Sequence, residues 1–252
     1  MPVPTVEESP RLYARVGGGL YLILIVVGFY AQAFVRGKLI VWDNAAKTAA
    51  NLRSMEGLWR AGLGAEIVAL LATIILAVIY YLLFKPVSRE LNLLATFLRM
   101  VGIAVQTVAV LGLAAALLPL APLARDADLK AFSPEQLSVL TSFAVRFHSE
   151  GFGLALLVFG ACFLVHGALI YGSTFLPRTL GVLIAIAGLC YLTNSFALFL
   201  APAFAARIFP AILAPAFIGE ASLCLWLLVR GVDQEKWKTV NRALLSPRTA
   251  PV

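Results

Sequence analysis

The stretch "RAGLGAEIVALLATIILAVIYYLLFKP" occupies residues 60–86. Between Arg60 and Lys85 it carries one charge, Glu66. At about 1.5 Å per residue, a helix over Arg60–Phe84 reaches roughly 37 Å, more than the ~30 Å hydrocarbon layer of a bilayer. It stops at Lys85-Pro86, because proline has no N–H to continue the ladder and clashes with the preceding turn. The stretch reads as a membrane-crossing helix with an acid inside it.

The rest of the chain repeats the pattern. Of its 252 residues 61% are hydrophobic and 13% charged, against roughly half and a quarter in a soluble domain. Working outward, further apolar runs fall at about Gly17–Val35, Leu93–Leu118, Ser149–Tyr171, Thr179–Leu200 and Phe209–Val229. The expected fold is all-α: a polytopic transmembrane helical bundle of about six spans, with short amphipathic interfacial helices. Residues 1–230 form a single membrane domain and 231–252 a basic juxtamembrane tail, with Trp237 at the headgroup level and Leu244-Leu245 beside it. Ala31-Gln32-Ala33 resembles a signal-peptidase site, but the run before it is longer than a signal core, so an uncleaved first helix is expected.

Connectors carry their own signals. Asp43 is placed to cap a short alanine-rich amphipathic helix over "NAAKTAANLRSMEGLW". Ser133-Pro134-Glu135-Gln136 reads as a capping box with proline at the first helical position, starting a helix that runs on into the fourth span. Pro215 is expected to kink the sixth span ahead of Glu220.

The net charge of +7 lies mostly in connectors and tail, where it meets anionic headgroups, and no aromatic-basic platform supports nucleic acid as a partner. Six spans put both termini on one side. The basic loop "KPVSRE" and the basic tail make that side cytoplasmic, although the basic residues from Arg36 to Arg60 pull against it. Cys162, Cys190 and Cys224 all sit in apolar runs without a CxxC and read as small buried side chains. No cofactor is implied.

The chain resembles a family of bacterial multi-pass membrane proteins known as a domain of unknown function (DUF4386). The resemblance is carried by "ARVGGGLYLILIV" (14–26), "DNAAKTAANL" (43–52), "LWRAGLGAE" (58–66), "YYLLFKPVSRELNLLATFLRM" (80–100), "HSEGFGLALLVFG" (148–160), "STFLPRTLGVLIAIAGLCYL" (173–192) and "IGEASLCLWLLVRGV" (218–232). It covers nearly the whole chain. It implies the span order and a bacterial inner-membrane location, and no activity.

What remains is the polar residues inside the spans. An acid near mid-membrane costs roughly 2.5–3.5 kcal/mol on insertion scales and is expected to face the bundle interior. Glu220 shares a helical stripe with Ala216 and Cys224. Glu66 lies with Gly62, Ala69 and Thr73; Asn194 with Ala187, Cys190 and Ala197; Arg99 with Gly102, Gln106 and Ala109; His166 with Ala155, Phe159 and Cys162. Depth then divides them. Glu220, Glu66, Asn194, His148 and Arg60 are candidates for an outer polar pocket binding a ligand or proton; Arg99, Gln106 and His166 fall in the inner half. The leading expectation is a small or lipidic ligand bound or transported through a pocket with protonatable Glu220 and Glu66. The alternatives are a membrane-embedded enzyme, carboxylate- or metal-assisted, and a structural or assembly protein. No HExxH, Walker or G-x-S-x-G pattern is present. A zinc set of Glu66, Glu220 and His148 has the right donor chemistry but no ligand spacing.

Overall fold

Lipid offers no partner to a backbone N–H or C=O, so an apolar run must satisfy both within itself, as a helix does. The computed structural model describes residues 4–120 and 131–245, and all regular structure among them is helical. The helices are α1 (Pro10–Phe29), α2 (Ala45–Ser54), α3 (Glu56–Phe84), α4 (Arg89–Ala115), α5 (Pro134–Gly172), α6 (Arg178–Leu200), α7 (Pro202–Ile208), α8 (Ala214–Val229) and α9 (Gln234–Leu245). Six segments are long and apolar enough to cross a membrane: Pro10–Leu39, Glu56–Phe84, Arg89–Leu120, Pro134–Gly172, Arg178–Leu200 and Ala211–Val229. The chain is an integral membrane protein.

Several ends differ from the expected ones, each for a local reason. Helix α1 begins at Pro10, since proline fits a first helical turn, and a π-helical segment Tyr30–Arg36 carries it past the apolar run to Leu39. Helix α2 is capped by Asn44, not Asp43: its Oδ1 accepts the Lys47 N–H at 2.8 Å. The capping box forms as read, with Ser133 Oγ accepting the Gln136 N–H at 3.3 Å and Gln136 Oε1 accepting the Ser133 N–H at 2.8 Å. Pro215 lies in the first turn of α8 and starts that helix instead of kinking it. Residues 246–252, the end of the basic tail, lie outside the described residues.

The described residues fall into two compact units. The first takes residues 1–22, 73–102 and 156–252. Within it, α5 and α6 meet backbone to backbone: a Cβ on Gly188 would come to 2.7 Å from the Gly160 oxygen, and one on Gly181 to 2.7 Å from the Gly167 oxygen. Small residues permit this approach, which is how membrane helices gain packing without a hydrophobic drive between them. The terminal carbonyls of α3 are taken by side chains. Asn92 Nδ2 donates to the Tyr81 oxygen at 2.8 Å, and the Trp237 indole N–H donates to the Leu83 oxygen at 2.9 Å. Trp237 is therefore 1% exposed and not at a headgroup surface. The open carbonyls of a helix end attract its N–H, and the ring fills the space beside them.

The second unit takes residues 23–72 and 103–155. Its core gathers Val35, Leu39, Leu52, Trp59, Leu113 and Val145. The Trp59 indole N–H donates to the Leu113 oxygen at 2.9 Å. Helix α2 buries Thr48, Ala49 and Leu52, and the Thr48 hydroxyl both donates to the Val41 oxygen and accepts the Val41 N–H.

Two neighbouring glycines in α1 test the packing of the first unit. A Cβ on Gly18 would fall on the backbone of Leu227 and Leu228, whereas one on Gly19 meets nothing within 4 Å. Gly18→Ala is expected to lower stability by about 1–3 kcal/mol through overpacking. Gly19→Ala is expected to hold or raise it by up to about 1 kcal/mol through helix propensity. Thermal unfolding in one detergent reads both, and midpoints moving the same way would refute the α1–α8 contact. At the start of α9, Asp233 accepts the Lys236 N–H at 3.2 Å, and that bond holds its carboxyl below the usual value of 3.8. A lowered folded pKa contributes stability above about pH 3.9, the unfolded value, and loses it as pH falls through the folded one. The stability difference between wild type and Asp233→Asn should therefore shrink as pH is taken below about 4. A difference constant down to pH ~3 would show that the charge contributes nothing to the cap.

Candidate functional site

The polar side chains inside the spans form two centres, one in each unit. In the first unit the centre is Glu220 on α8. Its two oxygens are taken by phenols: Tyr21 of α1 donates to Oε2 at 2.9 Å, and Tyr191 of α6 donates to Oε1. Tyr21 is buried, and Glu220 and Tyr191 are half-buried. Beside Tyr191 stands the Phe163 ring of α5, centroids 5.6 Å apart.

Arg99 of α4 completes this region. It is 5% exposed, and its guanidinium carbon lies 5.1 Å from the Tyr80 ring centroid and 6.0 Å from that of Phe163. It also lies against the Cys162 sulfur and within electrostatic reach of Glu220. Yet it makes no ion pair among the described residues, and its buried Nε has no hydrogen-bond partner there. The buried Tyr80 hydroxyl of α3 likewise has none. A guanidinium over aromatic faces gains about 2 kcal/mol or more when desolvated, which holds the cation in place without neutralising it. The Tyr80 ring passes on to His166 of α5, centroids 5.2 Å apart. His166 Nδ1 is 3.1 Å from the Cys162 oxygen and 3.3 Å from its Sγ. Each of the six spans thus contributes to this centre: Tyr21, Tyr80, Arg99, His166, Tyr191 and Glu220.

In the second unit the centre is a buried ion pair. Glu66 of α3, 5% exposed, pairs with Arg36, whose Nε also donates to Gln32 Oε1 at 2.8 Å. His148 of α5 is within electrostatic reach of both. Its Nδ1 is 3.1 Å from the Ala109 oxygen, and its ring stacks on Phe152. A cavity of about 10 Å³ beside Arg36, Trp59 and Gly62 is the size of one water.

The candidates read from the sequence are distributed accordingly. Glu220, Asn194, Arg99 and His166 belong to the first unit, and Glu66, His148, Gln106 and Arg60 to the second. Glu220 and Arg99, which depth counting from the sequence placed near the middle and in the inner half, lie within electrostatic reach of each other. Glu220 is about nine residues or ~13 Å from Val229, and Arg99 is about ten residues from Arg89. Glu66 and His148 both fall in the second unit, within electrostatic reach of each other, while Arg60 is exposed and pairs with Glu56 one turn away at 2.7 Å. Asn194 is buried and Gln106 half-buried. Among the described residues no three His, Cys, Asp or Glu side chains gather to hold a metal.

Four partners escaped the sequence reading: Tyr21, Tyr80, Tyr191 and Arg36. Tyr191 was nearly legible, lying four residues after Ala187 and three before Asn194 on the stripe already noted. Arg36 was hidden because the apolar run ends before it, while the helix does not.

Comparison with curated proteins and with solved structures finds no match. The family described as a domain of unknown function (DUF4386) matches residues 16–231, a range that takes in both centres. Six long apolar helices and that match agree, and the chain belongs to the DUF4386 family.

Proposed function

We propose that the protein binds, and carries within the membrane, a small or lipidic ligand with an anionic group. Arg99 receives the anion and Glu220 is the group that exchanges a proton. The observation that carries this reading is Arg99 itself. Among the described residues it is a buried guanidinium whose Nε lacks an acceptor, over the ring of Tyr80, whose hydroxyl also lacks a partner. A charge held in an apolar span marks a ligand or ion path by default, and an arriving carboxylate or phosphate supplies what Arg99 lacks. Glu220 has phenols and no cation on its oxygens, so its charge is not fixed by its contacts. Glu66, by contrast, is held by Arg36 and is assigned a supporting role. The reading takes both termini as cytoplasmic in a bacterial inner membrane, supported by the basic residues of Lys85–Glu90 and of the tail.

A purely structural role is the second reading. The two phenol bonds favour it, since they satisfy Glu220 and tie three spans together.

Dicyclohexylcarbodiimide, which adds to protonated carboxyls in apolar surroundings, separates the two. It should modify wild type at Glu220 and leave Glu66 unlabelled, read by peptide mapping, with Glu220→Gln as the blank. No label at Glu220 would end the proton-exchange reading. Laurate, a carboxylate with an apolar tail, probes the anion half through a rise in unfolding temperature. A charge-assisted hydrogen bond is worth about 1.5–3 kcal/mol, so Arg99→Gln should need roughly tenfold or more laurate for the same rise. Arg99→Lys should recover part of it. Equal laurate response in wild type and Arg99→Gln would leave the packing reading standing.

A further inference from the structure

In the first unit, the first turn of α1 and the turn between α8 and α9 border an open cleft of about 200 Å³. Arg11, Arg230, Trp226 and Asp233 line it. Gly231, at φ 67°, ends α8 in the left-handed conformation that glycine adopts without strain. A Cβ there would meet Arg11 Cγ at 2.9 Å, so the glycine is what lets Arg11 come this close. Arg15 Nη2 donates to the Val229 oxygen at 3.1 Å and serves the end of α8. Among the described residues Arg11 gives its Nε alone, to the Val232 oxygen at 3.5 Å. Neither Arg11 nor Arg230 forms an ion pair among the described residues. Asp233, the acid in the cleft, is paired with Lys236.

We propose that this cleft holds the phosphate of an anionic phospholipid between Arg11 and Arg230, with the indole of Trp226 against the glycerol region. The location selects the occupant. Arg11 stands in the first turn of one membrane-crossing helix and Arg230 directly follows the end of another, which is where headgroups lie. A half-exposed tryptophan beside them, 37% accessible, matches the preference of indoles for that layer. Guanidinium pairs suit phosphate because each offers a planar fork of donors.

Native mass spectrometry of the full chain with phosphatidylglycerol or phosphatidylcholine tests this. Wild type should retain phosphatidylglycerol more tightly. At about 1 kcal/mol per basic residue, Arg11→Gln and Arg230→Gln should each weaken it about fivefold and the pair about 30-fold. Lys238→Gln with Arg242→Gln removes the same charge outside the cleft and should leave retention near wild type. Arg11→Lys with Arg230→Lys should restore part of it. Unfolding temperature checks each variant; if Arg11→Gln unfolds, Arg230→Gln alone decides. Equal loss in the Lys238/Arg242 pair would overturn the site in favour of diffuse attraction. Displacement of the lipid by millimolar inorganic phosphate would overturn the lipid assignment in favour of a soluble anion, and so would equal retention of the two lipids.

Discussion

A carboxylate inside an apolar helix must find its hydrogen bonds within the protein, because lipid supplies none. The chain meets this constraint twice and in two chemically different ways. Glu66 is matched by a guanidinium. Such a pair is fixed: removing either partner leaves a buried charge alone, at a cost of about 3–5 kcal/mol. Glu220 is matched by two phenols. A phenol donates to a carboxylate, and its oxygen accepts from a carboxylic acid. The phenols at Glu220 can therefore donate or accept, whereas the Arg36 guanidinium at Glu66 can only donate.

Arg99 follows a third route. Its charge is accommodated by the faces of Tyr80 and Phe163. Ring faces stabilise a cation without consuming its N–H groups. That separates the problem of keeping a cation in the membrane from the problem of satisfying its donors. The first is solved by aromatic packing, and the second is open at Nε. A guanidinium paired with a carboxylate, as Arg36 is, has its charge matched by that partner.

How much of this was readable beforehand follows from what periodicity encodes. Apolar length marks a span, and six such segments are present; of the polar residues on small-residue stripes, Glu66, Arg99, His166 and Asn194 are buried and Glu220 and Gln106 half-buried. The capping box at Ser133 was legible because its donors and acceptors are all within four residues. Partners from other helices were not. Nothing in α8 states that Glu220 meets Tyr21 and Tyr191, and a tyrosine in an apolar run looks like any other large side chain. Trp237 shows the converse error. A tryptophan in a basic tail suggests a headgroup anchor, but the open carbonyl of Leu83 is a partner only the folded chain can supply.

The polar layer also depends on residues with no polar side chain at all. Helix α8 approaches α6 through Gly219, where a Cβ would stand 2.6 Å from the Leu183 oxygen, and it approaches α1 through Gly18. Gly18 precedes Tyr21 by three residues, so both lie on the same face of α1. Gly219 adjoins Glu220 directly. The two glycines set the distances at which the phenols of Tyr21 and Tyr191 reach the carboxyl from either side. A side chain at either position would widen the gap by more than a hydrogen bond tolerates, since such bonds fade beyond about 3.2 Å. The chemistry at Glu220 is thus specified as much by the absent Cβ atoms beside it as by the hydroxyls that touch it.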